Sequence, residues 1–325
     1  MRVFKNLLFF IILFFILAGM SDKIEKKLMD NDSFVRERNK SIYRILREPE
    51  NSIDVLVVGD SLSYCSVSPM ELWNDHGMAA YVCGQSGQKI QEAFHMLKTV
   101  FRTQAPRLVI LETDVLFKNQ TGIEGIKNVL GEWVNYHLPL IREHDIWKVF
   151  LTGKRYSGEN YKGFRFRSLV NPYERGKYMV ETREKQQIPD MVRVYMDGIV
   201  ELCERNGTEL LLLSTPSPDN YDYPKHNSIE EYAEKHMIGY LDMNLKLNEI
   251  GINWKTDSLD QGDHLNFSGA QKVTGYLGQY LKNKYDLPDH RGENFYRSWE
   301  EEAQKYHKKA EKCLKKIKKK DNQND

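Results

Sequence analysis

The chain has 325 residues, of which 41% are hydrophobic and 29% charged, values of a globular protein and not of a disordered one. A formal net charge of +1 argues against a body that binds nucleic acid through a basic surface. The four cysteines (Cys65, Cys83, Cys203 and Cys313) show no CxxC spacing, so free thiols are expected, and neither a zinc site, another metal site nor an organic cofactor is implied.

At the N-terminus, Arg2 and Lys5 precede an apolar run over residues 7–17 that ends in Ala18-Gly19-Met20. Cleavage after Gly19 would place Leu17 three positions back, and cleavage after Met20 would leave a bulky residue at the cut. Both disfavour processing. Residues 1–21 therefore read as an uncleaved signal-anchor, a single pass through the cell membrane with the body on the outer side. Residues 22–50, polar and charged, read as a stalk.

From there strands and helices alternate. Residues 54–58 are short, apolar and β-branched, and Gly59 ends them. Residues 79–83 form a second apolar run, followed by the turn-rich Gly84-Gln85-Ser86-Gly87 and a helix over 88–101. Residues 108–111 and 210–213 read as further strands, the last halted by Pro216 and Pro218. This order predicts parallel βαβ units and an α/β fold with a mostly parallel sheet, whose ligands bind beyond the carboxyl ends of the strands. Ser61, Gly87 and Asp114 all fall at that edge. Between 118 and 185 the alternation lapses into an aromatic and charged insertion that is expected to shape a cleft. A helix over 268–281 follows His264. Residues 291–325 read as a separate basic helix with a narrow apolar stripe.

The chemistry is concentrated at Gly59-Asp60-Ser61-Leu62 and Asp260-Gln261-Gly262-Asp263-His264-Leu265-Asn266. A hydroxyl is a weak nucleophile and needs a base to take its proton, and that base needs a carboxylate to orient it. Ser61 and His264 supply the first two. Asp260 and Asp263 both qualify as the third.

These segments resemble the GDSL, or SGNH, hydrolases, over roughly residues 52–285 of a catalytic domain expected over 51–290. The resemblance implies a three-layer α/β/α sandwich, with Ser61 as nucleophile, His264 as base and Gly87 lining an oxyanion hole. Two positions depart from the family pattern. Asp114 stands where an asparagine donor is usual, so that role is vacant or passes to a neighbour such as Thr113. The family's Asp-x-x-His would put the acid at Gln261, and Asp260, reached through one extra loop residue around Gly262, is favoured over the adjacent Asp263. The N-terminal anchor, Ser68-Pro69, Gly87-Gln88, His144, Trp147, His264-Leu265-Asn266 and Gly269-Ala270 are most similar to a membrane-anchored branch. That branch contains the teichoic-acid D-alanylation protein and exopolysaccharide O-acetyltransferases. It implies acyl transfer between an acylated small molecule and an envelope polysaccharide, with a membrane-bound acyltransferase as partner. A plain esterase and a catalytically silent glycan-binding protein are the alternatives.

Overall fold

The computed structural model describes residues 2–118, 122–153, 155–156 and 158–324. Residues 119–121, 154 and 157 of the expected insertion lie outside the described residues. The chain begins with the long helix α1 (Arg2–Asp30) and the short α2 (Lys40–Ile45). It then runs through β1 (Val55–Gly59), α3 (Ser61–Ser66), α4 (Pro69–His76), β2 (Ala80–Gly84), α5 (Ile90–Val100) and β3 (Leu108–Glu112). Three helices of the insertion follow, α6 (Gly122–His137), α7 (Pro139–Arg142) and α8 (Ile146–Thr152). The alternation resumes with α9 (Asp190–Arg205), β4 (Glu209–Ser214), α10 (Tyr223–His236) and β5 (Gly239–Asp242). Helices α11 (Leu247–Ile250), α12 (Phe267–Lys284) and α13 (Arg297–Asn324) complete the chain.

All five strands are parallel, in the order β2-β1-β3-β4-β5. The runs are apolar throughout because both sheet faces are covered, and alternate residues serve different cores. Leu56, Val58, Val109, Leu111 and Leu212 pack with α5 and α9 on one face. Val55, Val57, Leu108, Ile110 and Leu213 pack with Val273 and Leu277 of α12 on the other. The result is an α/β/α sandwich. Chain direction across the sheet reverses between β1 and β3, which makes their carboxyl ends the crevice of this topology. The strand β5 escapes sequence reading because Gly239–Asp242 has only two fully buried residues and no apolar run.

Two expected appendages are part of the body. The segment expected as a stalk over 22–50 is packed, with Leu28, Val35, Tyr43 and Ile45 buried in the core of the α5/α9 face. The basic helix over 291–325 does not stand apart, since Trp299 and Tyr306 of α13 are buried and the Tyr306 hydroxyl donates to Glu71 at 2.9 Å. Within the insertion, Phe164 and Phe166 stack near Phe267 and Tyr306, with Phe166–Phe267 centroids 4.7 Å apart, so these rings are core. The helix over Phe4–Asp30 contains an 18-residue stretch of mean hydropathy 2.2 and is long and apolar enough to cross a membrane.

Candidate active site

Gly59 delivers the serine. Its φ of 154° lies outside what side-chain-bearing residues favour, and a Cβ there would lie 2.5 Å from the Glu112 Cβ on β3. Asp60 then caps α3, its carboxylate accepting the Leu62 N–H at 2.9 Å. Ser61 therefore opens the helix, half-buried, with its own N–H among the first-turn amides that have no intrahelical partner.

Across the crevice lies the loop before α12. Asn266 fixes the end of this loop by capping α12 at Ser268 N and by donating to Thr256 O at 2.7 Å. His264 Nε2 lies 2.8 Å from Ser61 Oγ, and its Nδ1 lies 2.8 Å from Asp260 Oδ2. The other Asp260 oxygen accepts the His264 backbone N–H at 2.6 Å, so the carboxylate is held at both ends. With Nδ1–H donated to Asp260, Nε2 is the nitrogen left to accept the serine proton. The extra residue between Asp260 and His264 is absorbed by left-handed backbone at Gln261 (φ 65°) and Gly262 (φ 106°). Asp263 is close but secondary. Its Oδ2 lies 3.2 Å from Nδ1, while its Oδ1 accepts from Asn220 at 2.7 Å.

Burial opposes the imidazolium, but the Asp260 hydrogen bond and the charges of Asp263, Asp260 and Asp60 outweigh it and raise the His264 pKa. Burial likewise works against the Asp260 carboxylate, and its two bonds to His264 prevail and lower its pKa. The ligand atoms of Asp260, Asp263 and His264 lie within 4.8 Å of one another, a spacing open to a metal ion. Both imidazole nitrogens are already engaged, by Asp260 and Ser61, which fits an acid–base set better than a metal centre.

The remaining sequence-predicted residues lie on the neighbouring turns. Gly87 (φ 61°) lies on the exposed loop after β2, which is tied to the end of β1 by Gln85 N–H donating to Gly59 O at 3.1 Å. Asp114 is buried and ion-paired to Lys118, whose Nζ also lies 2.7 Å from Asp60 Oδ2. A carboxylate so paired offers no N–H to an oxyanion. Thr113 does not take over the role, because its hydroxyl is turned toward β4, 2.6 Å from Ser214 Oγ and 2.9 Å from Tyr221 OH.

Asp114 belongs instead to a buried acidic cluster with Asp60 and Glu112, next to the Ser61 turn. Burial and the neighbouring Asp114 push Asp60 up to about 6 despite Lys118. Burial, Asp60 and Asp114 hold Glu112 well above the usual carboxylate range, and it accepts the Tyr221 hydroxyl at 2.6 Å. Sequence reading missed Lys118, Asn220, Tyr221 and Ser217, whose Oγ donates to Asp263 O at 2.6 Å. The only signal for them was position, since each follows the carboxyl end of β3 or β4.

No family model matches this chain, and no curated protein matches it. Among solved structures it is similar to a candidate acylhydrolase from Bacteroides fragilis NCTC 9343 at 13% identity, covering 77% of this chain and 96% of that one, with a TM-score of 0.40. A candidate lipolytic protein of the G-D-S-L family from Desulfitobacterium hafniense DCB-2 is 13% identical, with coverage of 70% and 98% and a TM-score of 0.41. A GDSL-like lipase from Bacteroides thetaiotaomicron VPI-5482 is 13% identical, with coverage of 71% and 88% and a TM-score of 0.38. At this level of likeness the chemistry rests on the site's own geometry.

Proposed function

We propose that the protein is a serine-dependent acyl-transfer enzyme that works through an acyl-enzyme on a cell-envelope glycan or polymer, held to the outer side of the membrane by α1. The observation that carries this reading is the line Asp260–His264–Ser61, with both links at 2.8 Å. As Ser61 Oγ attacks an ester or thioester carbonyl, its proton passes to His264 Nε2, and the carbonyl π pair moves onto oxygen. The N–H groups of Ser61 and Gly87 receive that oxyanion. Removing one such donor costs about 3 kcal/mol of transition-state stabilisation. The tetrahedral species collapses, the leaving alcohol or thiol takes the proton from His264, and Ser61 keeps the acyl group. A sugar or polyol hydroxyl then attacks the acyl-enzyme by the reverse of these steps.

Hydrolysis is the second reading, favoured by the openness of the charge relay, since the Asp260 side chain is 40% exposed and water has access to its end of the site. The test is labelling by a fluorophosphonate probe together with turnover of a small acyl ester. Ser61→Ala should abolish both and His264→Ala should abolish turnover, with the fold intact. The double variant should be little worse than either single one, because the two act as a unit. Near-normal turnover in Ser61→Ala would exclude the assigned nucleophile. Product analysis with a glycan acceptor present separates transfer from hydrolysis.

A further inference from the structure

Helix α1 runs without interruption from its exposed apolar half into the body. Ser21 is its first fully buried residue, and its hydroxyl accepts the Leu140 N–H of α7 at 3.2 Å. One turn on, Glu25 lies 3.6 Å from both Arg142 and Arg102. At a rise of ~1.5 Å per residue, residues 4–20 span about 25 Å, most of a hydrocarbon core of ~30 Å. No spacer separates the apolar run from the body, so α7 begins where that run ends.

The helices packed around that exit expose apolar side chains at helical spacing. Ile126, Leu130 and Trp133 do so on α6, Ile141 on α7, and Trp147 and Leu151 on α8, with Leu130 60% and Leu151 78% exposed. Helix α7 packs on both α1 and α6, and α8 packs on the turn Asp32–Phe34 that follows α1. The adjoining flank of α6 packs on the body, where Tyr136 stacks on His95 of α5 at 4.7 Å. Lys148 sits over the Trp147 ring at 5.5 Å, an aromatic and a cation paired as at a membrane–water boundary.

We propose that the outer faces of α6, α7 and α8 seat in the headgroup–acyl boundary of the bilayer that α1 spans. The inference rests on the reading of α1 as an anchor, and the occupant is lipid because the face is continuous with that span. A seated face, unlike a tether alone, fixes the height and tilt of the active site. Through α7 it also reaches the loop beside Ser61. Glu143 accepts from Asn39 at 2.9 Å, and Asn39 accepts from Gln85 at 3.1 Å. The acyl donors so favoured are those presented at the membrane surface.

The test uses the full chain in vesicles of phosphatidylcholine and phosphatidylglycerol, with and without lipids brominated near the carbonyl end of the acyl chains. Tryptophan emission should be quenched by bromine, and the Trp133→Phe/Trp147→Phe pair should remove most of that quenching, since of the other three tryptophans Trp73 and Trp299 are each 1% exposed and Trp254 is half-buried against Tyr173 and Tyr178. Leu130→Glu/Leu151→Glu should leave the protein in the membrane fraction through α1 and still lose the quenching. Membrane-bound but unquenched wild-type protein would overturn the seating while sparing the anchor. Absence from the membrane fraction would overturn both. Disulfide cross-linking of Leu130→Cys between copies, without quenching, would assign the face to a second copy and reject lipid.

Discussion

At the scale of single residues, the decisive feature is that one imidazole has two carboxylates within reach and uses them unequally. Asp260 binds the ring and the backbone of His264, whereas Asp263 approaches the ring at 3.2 Å and is shared with Asn220. Asp260→Asn should lower kcat by roughly 10²- to 10⁴-fold through loss of the productive tautomer. Asp263→Asn should cost less than about tenfold, because the link that orients the ring survives. A larger loss in Asp263→Asn would reverse the assignment. The pH profile supplies a second reading. His264 must be neutral to act as base, and its raised pKa places the acidic limb of kcat/KM above the ordinary imidazole value. Removing the Asp263 charge withdraws support for the imidazolium, so Asp263→Asn should shift that limb to lower pH. A shift upward, or none, would show that Asp263 does not act on the ring.

At the scale of elements, the turn from β1 into α3 and the turn that follows β3 are joined by charge. Lys118 bridges Asp60, which caps the nucleophile helix, and Asp114, which follows β3. Asp60 already sits at about 6 with the lysine present. Lys118→Met should push Asp60 further up, so that the folded state binds more protons than the unfolded one. The variant's stability then holds below the unfolded carboxylate pKa and falls as pH rises through the folded one. Urea unfolding should show a deficit of about 2 kcal/mol at pH 8 that shrinks toward pH 5, the half-buried setting discounting the cost of a fully buried pair. A deficit independent of pH would mean that the lysine acts by packing alone. Of this device only the strand–turn geometry was legible beforehand. Asp114 stands out in the sequence as a departure from a family pattern, but its partner Lys118 does not, because no sequence spacing requires a cation there.

For the whole molecule, the terminal helices determine what can be removed. Removal of residues 1–20 takes away exposed apolar surface, so the remaining chain should be released from membranes and keep its melting temperature. Removal of residues 1–30 also takes Ile24, Glu25 and the buried Leu28. Truncating one buried leucine costs ~2–5 kcal/mol, so this chain should melt several degrees lower or aggregate. Equal melting temperatures for the two truncations would mean that residues 21–30 are the stalk that composition suggested. The sequence by itself determined the strands β1 to β4, the edge at which chemistry gathers and the serine and histidine that face each other. Those features are local: a continuous apolar run, a glycine that permits a sharp turn, a polar loop ahead of a helix. Sequence spacing favours Asp260 only by way of an extra loop residue, and tertiary structure supplies the left-handed backbone at Gln261 and Gly262 that brings its carboxylate to His264. Tertiary structure also decided that the Thr113 hydroxyl is taken by Ser214 and Tyr221 and the Asp114 carboxylate by Lys118, and that residues of the polar stretch after the apolar run are core. Polar composition predicts exposure only on average, and Val35, Tyr43 and Ile45 are buried by partners distant in the chain.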